Sequence, residues 1–405
     1  MTRIRARRLD GLTSSAIRDL LEVTARPEVI SLAGGLPAAE LLPTARIAEA
    51  AASALADPAT AQYTETCGLG DLRTVIAARE SGRLGRTVDP QQVVVTHGSQ
   101  QALSLIAQAL LDPGDLVVVE EPAYTGALQV FRAAEATLAS VPVDDDGLDT
   151  DALEELLARG ARPVLVHTVA TFHNPRGAVL SAPRRAHLAA LADRYGFRVV
   201  EDDPYGDLWF GTPPPAPVAS HTDRVIRLSS ASKIVAPALR VGWLLADRDV
   251  CASVELLKQG ADLCGSSLTQ RIAADLLADT AWLDAHLTTL RGTYGARAHA
   301  LAAALTAEFG PDVTYSPVRG GMFTWSSLPT AVPAAELLPV AADLGVAFVP
   351  GDAFAVAGDH THSVRLCFAT SAEDELAEAV RRLGAAVRTA EGARPKAQVQ
   401  AQAQS

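Results

Sequence analysis

Short runs of aliphatic residues alternate with helix-patterned stretches between residues 93 and 246, and that alternation narrows the fold more than any other feature. The runs lie at 93–95, 116–119, 164–168, 198–201, 225–228 and 241–246. Strands that are apolar throughout have no polar face to offer to water, so they predict a mainly parallel sheet with helices on both sides. The last run is expected at an edge or antiparallel. In open sheets of this kind ligands bind beyond the carboxyl ends of the strands. Ser99, Tyr124, Asn174, Asp202, Tyr205 and Lys233 all fall at such ends.

Lys233 stands out among them. Only Lys233, Lys258 and Lys396 are lysines among 35 basic residues. Arginine cannot deprotonate in a protein, whereas lysine can lose its proton and attack an aldehyde. The Ala- and Arg-rich composition weakens the argument, because codon bias alone depletes lysine. The spacing helps it: Ser230, Ser232 and Lys233 occupy a small-residue turn after an apolar run, and Arg240 follows. Hydroxyls and an arginine make a phosphate cradle. An amine beside such a cradle suggests pyridoxal 5'-phosphate, which carries an aldehyde and a phosphate. A surface lysine in a serine-rich loop is the plainer alternative, and it leaves the spacing and the apolar flanks unexplained.

Other stretches carry the alternation to both ends. Residues 13–24 predict a short helix, with Arg18 off its apolar face. Gly34 and Gly35 allow a tight turn or a close approach to a ligand, and local sequence does not separate these. Helices are expected at 43–56, from 71, at 182–194, and over 252–308 with a break near Gly265. Gly98, Ser99 and Gln100 open a helix whose free N–H groups can hold an anion. After residue 308 the pattern becomes a smaller α+β unit, with Arg365 in a strand. The polar end, 391–405, reads as a disordered tail. Net charge is −12, which argues against a nucleic-acid binder. Cys67, Cys251, Cys264 and Cys367 have no metal-ligand spacing, so reduced thiols in a cytoplasmic protein are expected and a metal is not.

Pyridoxal chemistry needs a lysine, a carboxylate for the ring nitrogen, an aromatic face, phosphate donors and an arginine for the substrate carboxylate. The chain offers Lys233, Asp202, Tyr124, then Ser99, Gln100, Ser230 and Arg240, and Arg365. Tyr205 and Asn174 can reach the ring's 3-oxygen. Of the adjacent Asp202 and Asp203 only one can face the ring, and the Asp-x-x-Tyr spacing selects Asp202. Asp203 reads as a turn cap, Glu120 and Glu121 as turn or surface groups, and His173 as a packed loop residue.

The motifs AGGLP, GSQQAL, EEPAY, FHNPRG, EDDPYG, GGMFTW, AFVPGDAF and VRLCFAT, in this order, resemble the fold-type I, class I/II aminotransferases, in particular the 2-aminoadipate and kynurenine branch. The likeness runs over about residues 13 to 390. It implies a large domain with a seven-stranded, mainly parallel sheet between helices (43–280), a smaller α+β domain (281–390), and an N-terminal segment (1–42) packing on the latter. It implies that Lys233 holds the cofactor as an imine and moves the proton at Cα. Asp202 would partner the ring nitrogen, Tyr205 and Asn174 the 3-oxygen, and Tyr124 the ring face. Ser99, Gln100, Ser230 and Arg240 would bind phosphate. Arg365 and Asn174 would hold the substrate carboxylate beside Gly35. Tyr63 resembles a tyrosine that reaches the neighbouring subunit's phosphate, implying a homodimer with shared sites, and Arg18 an arginine that can meet an acidic side chain. Departures occur at Ala231, Ala238, Arg176 and the Thr64–Cys67 loop, and none removes a catalytic group. The expected reaction moves an amino group between an amino acid and a 2-oxo acid. Relatives of the fold also decarboxylate, oxidise, or replace groups at Cβ or Cγ. A regulator using this fold as an effector domain is disfavoured by the acidic charge and by a pattern that begins near Thr13.

Overall fold

The structure, a computed structural model, describes residues 6–9 and 26–402. The expected helix at 13–24 and Arg18 lie outside the described residues.

The large sheet has eight strands: β2 (Val93–Thr96), β3 (Leu116–Glu121), β4 (Thr137–Asp144), β5 (Gly147–Leu148), β6 (Leu165–Thr168), β7 (Arg198–Asp202), β8 (Val225–Ser230) and β9 (Gly242–Leu245). Their spatial order is β2-β9-β8-β7-β6-β3-β4-β5. The run from β8 to β4 is parallel. β9 is antiparallel to both neighbours, and it lies inside the sheet rather than at its edge. The count exceeds the expected seven through the two-residue β5, which turns back on β4. Strand β4 itself escaped the apolar pattern, because its residues are largely half-exposed or exposed.

Alternation along the strands sends side chains into two cores. Val93, Val95, Val118, Val166 and Val199 enter one, and Val94, Val117, Val119, Leu165 and Val200 enter the other. The second core is closed by the helices Ser99–Leu110, Thr125–Ala133 and Arg248–Ala261. Helices Gly70–Leu84, Ala182–Tyr195 and Ser267–Ala278 cover the first. The break expected near Gly265 separates Arg248–Ala261 from Ser267–Ala278, where Ser266 caps the new helix by accepting from Thr269 N–H.

A second, four-stranded antiparallel sheet follows the long helix Thr280–Phe309: β10 (Thr314–Tyr315), β11 (Phe323–Ser327), β14 (Ser363–Cys367) and β13 (Val349–Pro350), in that order. Arg365 pairs in register with Trp325 and Val349. The early strand β1 (Ile30–Ser31) crosses to this part of the molecule and pairs with β12 (Val346–Ala347). The closing helix, Glu373–Gln402, continues through the stretch where the sequence predicts disorder; its alanines and glutamines are good helix formers. Among the described residues no helix is long and apolar enough to cross a membrane.

Candidate active site

Strand ends and the turns after them converge on one cavity of about 200 Å³. Its lining includes Gly35, Ser99, Tyr124, Asn174, Asp202, Tyr205, Lys233 and Arg365, all expected from the sequence, together with Val169, Pro204 and Phe323. β6, β7 and β8 carry Asn174, Asp202 and Lys233 to the same side of the sheet, and β14 of the smaller sheet brings Arg365 from across the cavity.

Lys233 donates to the carbonyl of Gly35 at 2.7 Å. Burial pushes its amine down to about 8, with the nearby Arg365 and Arg240 charges adding to the effect. Gly35 has no room for a side chain, because a Cβ there would meet Phe323 Cζ at 2.8 Å. Asp202 is 3 % exposed, its Oδ1 has no hydrogen-bond partner, and Oδ2 lies 3.9 Å from His167 Nε2. An unpaired buried carboxylate oxygen is costly unless a donor arrives to meet it. Tyr205 is buried and meets the edge of Phe323. Burial first, then Asp202, pushes the Tyr124 hydroxyl up to about 12, so it stays a donor, here to Gln100 Oε1 at 3.1 Å.

An anion cradle adjoins the lysine. The helix Ser99–Leu110 starts at Gly98, whose φ of 81° suits glycine. Gly242 of β9 packs against this turn so closely that a Cβ would lie 2.6 Å from Gly98 Cα. Arg240 reaches back over the turn and donates to the His97 carbonyl at 2.6 Å. Ser230 Oγ lies 2.8 Å from Ser232 Oγ and accepts from Ser232 N–H. Ser230, Gln100 and Arg240 are placed around the cavity rather than in its lining.

At the other end, Arg365 is 1 % exposed. It donates to Asn174 Oδ1 at 2.9 Å and to the Ala33 carbonyl at 2.5 Å, and its guanidinium lies over Phe323 and Phe354 at 4.2 and 5.1 Å. Burial lowers it to about 10. Among the described residues no carboxylate pairs with it.

Tyr63, expected to act toward a neighbouring subunit, lies outside this cavity; it is 78 % exposed beside a separate surface hollow bounded by Cys264 to Leu268. Some sequence readings need correction. Asp203 is no turn cap but a buried partner of Arg227, at 2.5 Å. Glu120 is 2 % exposed and fastens the β6 loop, accepting from Thr168 Oγ1 and Val169 N–H at 2.6 and 2.9 Å, with His173 Nε2 at 3.0 Å. Glu121 grips backbone N–H groups of the smaller sheet's loop. Phe323 was missed as well; its place in GGMFTW gave no sign that its ring would touch both Gly35 and Arg365.

The residues present fit pyridoxal 5'-phosphate. Asp202 Oδ1 lacks a donor, Ser99 at the helix N-terminus lines the cavity, and Lys233 lines the same space. Those features, at the carboxyl ends of a parallel sheet, define the protein as a pyridoxal-phosphate-dependent transferase. More narrowly, the chain belongs to the family "Aminotransferase class I and II", which its residues 27–383 match. It is 38 % identical to an aromatic-amino-acid aminotransferase of Thermococcus litoralis over 93 % of this chain and 92 % of that one. It is also 38 % identical to a 2-aminoadipate transaminase of Thermus thermophilus, over 93 % and 94 %. A crystal structure of Pyrococcus horikoshii kynurenine aminotransferase, solved with pyridoxamine phosphate, superposes with a TM-score of 0.90 at 34 % identity, covering 95 % of this chain and 97 % of that one. The protein is an aminotransferase, and its substrates are small amino and oxo acids.

Proposed function

We propose that this aminotransferase accepts amino acids with long side chains, aromatic ones among them, and holds them by the α-carboxylate on Arg365. The observation that carries the proposal is the buried guanidinium of Arg365, which has no carboxylate partner among the described residues and opens into the cavity that holds Lys233. A charge buried without a counter-ion is costly, and a substrate carboxylate supplies the missing partner. Val169, Pro204 and Phe323 give the adjoining wall its apolar character. The names of the two curated relatives, one acting on aromatic amino acids and one on 2-aminoadipate, point the same way.

When bound, the cofactor supplies the electron sink that makes the Cα proton of an amino acid removable. The chain does the rest. Lys233, whose amine burial pushes down to about 8, would hold the cofactor's aldehyde and would carry the proton at Cα. Asp202 would accept from the ring nitrogen and keep it charged. Tyr205 and Asn174 would serve the 3-oxygen, and Tyr124 would cover the ring. Ser99, Gln100, Ser230 and Arg240 would hold the phosphate. Gly35, with no side chain to meet Phe323, lets the substrate pass close to its backbone, and Arg18 is a candidate contact for a distal carboxylate. The reading takes the working unit as a cytoplasmic homodimer with shared sites, and Tyr63, exposed as it is here, suits a role toward the second copy. Within each copy the units are 43–280 and 281–390, with the stretch around Ile30 and Ser31 packed on the latter.

An absorbance titration of the holoprotein tests this, with L-phenylalanine, L-kynurenine, L-2-aminoadipate and L-aspartate added without oxo acid. The expected result is conversion to the pyridoxamine spectrum with the first three donors. Conversion by L-aspartate alone, or release of carbon dioxide or ammonia in place of conversion, overturns it.

A further inference from the structure

The segment 121–124 ends in Tyr124, which lines the cavity. Its first residue, Glu121, does something different. The Glu121 carboxylate leaves β3 and reaches the loop that follows β13 in the smaller sheet. It accepts from Val356 N–H at 3.1 Å, Ala357 N–H at 2.7 Å and Gly358 N–H at 3.0 Å, and lies 2.9 Å from His360 Nε2. Two positions along, Ala123 N–H donates to the Phe354 carbonyl at 2.8 Å. Phe354 is fully buried; its ring lies under the Arg365 guanidinium and against Trp325 at 5.7 Å, and Trp325 in turn meets His360 at 5.5 Å. Gly358 comes so near that a Cβ there would lie 3.0 Å from Glu121 Cδ. A carboxylate held by three backbone N–H groups and an imidazole is a strong, directional anchor.

We propose that Glu121 is a positioning residue for substrate binding: it fastens the 354–360 loop, and through Phe354 it fixes the guanidinium of Arg365 where a substrate carboxylate must dock. The proposal rests on the reading of Arg365 given above. The segment 121–124 thereby serves both ends of the site, with Tyr124 turned toward the cofactor end and Glu121 toward the carboxylate end. A guanidinium displaced by about 1 Å loses its paired geometry, and such displacements weaken function by up to about a hundredfold.

The test measures binding of 3-phenylpropionate, a carboxylate without an amine, to the pyridoxal-phosphate form by absorbance, and cofactor affinity separately by equilibrium dialysis. Glu121→Ala is expected to weaken 3-phenylpropionate about tenfold while cofactor affinity stays within about twofold. Glu121→Gln keeps one acceptor oxygen and falls between. Gly358→Ala, which crowds the anchor without removing it, also weakens 3-phenylpropionate selectively and serves if Glu121→Ala does not fold. Unchanged 3-phenylpropionate binding in Glu121→Gln and Gly358→Ala overturns the proposal, as does an equal loss of cofactor affinity. Arg365→Met in the same assay separates the two readings: if it leaves 3-phenylpropionate binding intact, the role of Arg365 is wrong; if only the Glu121 and Gly358 variants do, the anchor alone is wrong.

Discussion

Two arginines, both 1 % exposed, sit on opposite sides of the large sheet's site and are treated in opposite ways. Arg227 of β8 faces Glu80 at 2.8 Å, Asp203 at 2.5 Å and Glu201 at 3.5 Å, three carboxylates around one guanidinium. Arg365 faces aromatic rings, an amide oxygen and a carbonyl. The neighbouring aspartates repeat the contrast. Asp203 turns to the back and pairs through Oδ2 with Arg227, whereas Asp202 turns to the cavity with no arginine beside it among the described residues; each leaves its Oδ1 unpartnered. A charge whose counter-charge comes from the protein holds the fold. A charge left without one is arranged for a molecule that arrives later.

The largest expected effect removes the nucleophile that this arrangement serves. Lys233→Ala should lose both the imine absorbance band and turnover, and residual turnover at wild-type rate would contradict its role. Next comes the direct comparison. Arg365→Met should lower kcat/KM by roughly a hundredfold or more, since it deletes a charge-assisted fork, with a melting temperature unchanged or raised, because an uncompensated buried charge is gone. Arg227→Met should do the reverse: it strands the carboxylates around it and costs about 3–5 kcal/mol in denaturant unfolding. If the two variants lose stability equally, the contrast is broken. The smallest effect sharpens the account of the cavity. The amine reacts only when neutral, and burial places its pKa at about 8. Cofactor capture by the apoprotein should therefore slow by roughly tenfold for each pH unit below 8 and level off above it; stopped-flow absorbance shows whether the bend lies there or near the ordinary lysine value. At the anchor the sign is opposite. Burial opposes ionisation of Glu121, but His360 and the Ala357, Val356 and Gly358 N–H groups outweigh it and hold the carboxyl down at about 2. Its contribution to stability is present above the ordinary carboxylate value of 4.5 and fades as pH falls toward 2, which an acid-unfolding series of wild type against Glu121→Gln resolves.

Much of the front of this site was legible because strand ends are legible. Apolar runs followed by turns located Ser99, Tyr124, Asn174, Asp202 and Lys233 without any contact information, and the fold then gathered them. Arg365 was visible as an arginine in a strand, and the needs of pyridoxal chemistry proposed a purpose for it that the resemblance repeated. The back was not legible. Arg227 interrupts VIRLSS as a charge in a wholly buried strand, and its partner Glu80 is far away along the chain in a helix that reads as polar. Glu120 and Glu121 look like a polar strand end, and nothing local shows that one turns to the β6 loop and the other to the second sheet. Strand β4 was missed because a strand with a wet face lacks the signal that marked the others.

The reversal of β9 bears on how the protein is made. All the other parts of the anchoring end, from Ser99 to Arg240, lie within one continuous stretch that is complete when β9 has been synthesised. The proposed clamp for the substrate, by contrast, joins Ala33, Asn174 and Arg365, whose bonds span 332 and 191 positions. A nascent chain still on the ribosome can thus have its cofactor cradle in hand well before it has any means of holding an amino acid. Stalled chains of increasing length, followed by cofactor fluorescence, would show binding before residue 365 has emerged; binding only in the finished chain would mean that the cradle, too, waits for the second sheet.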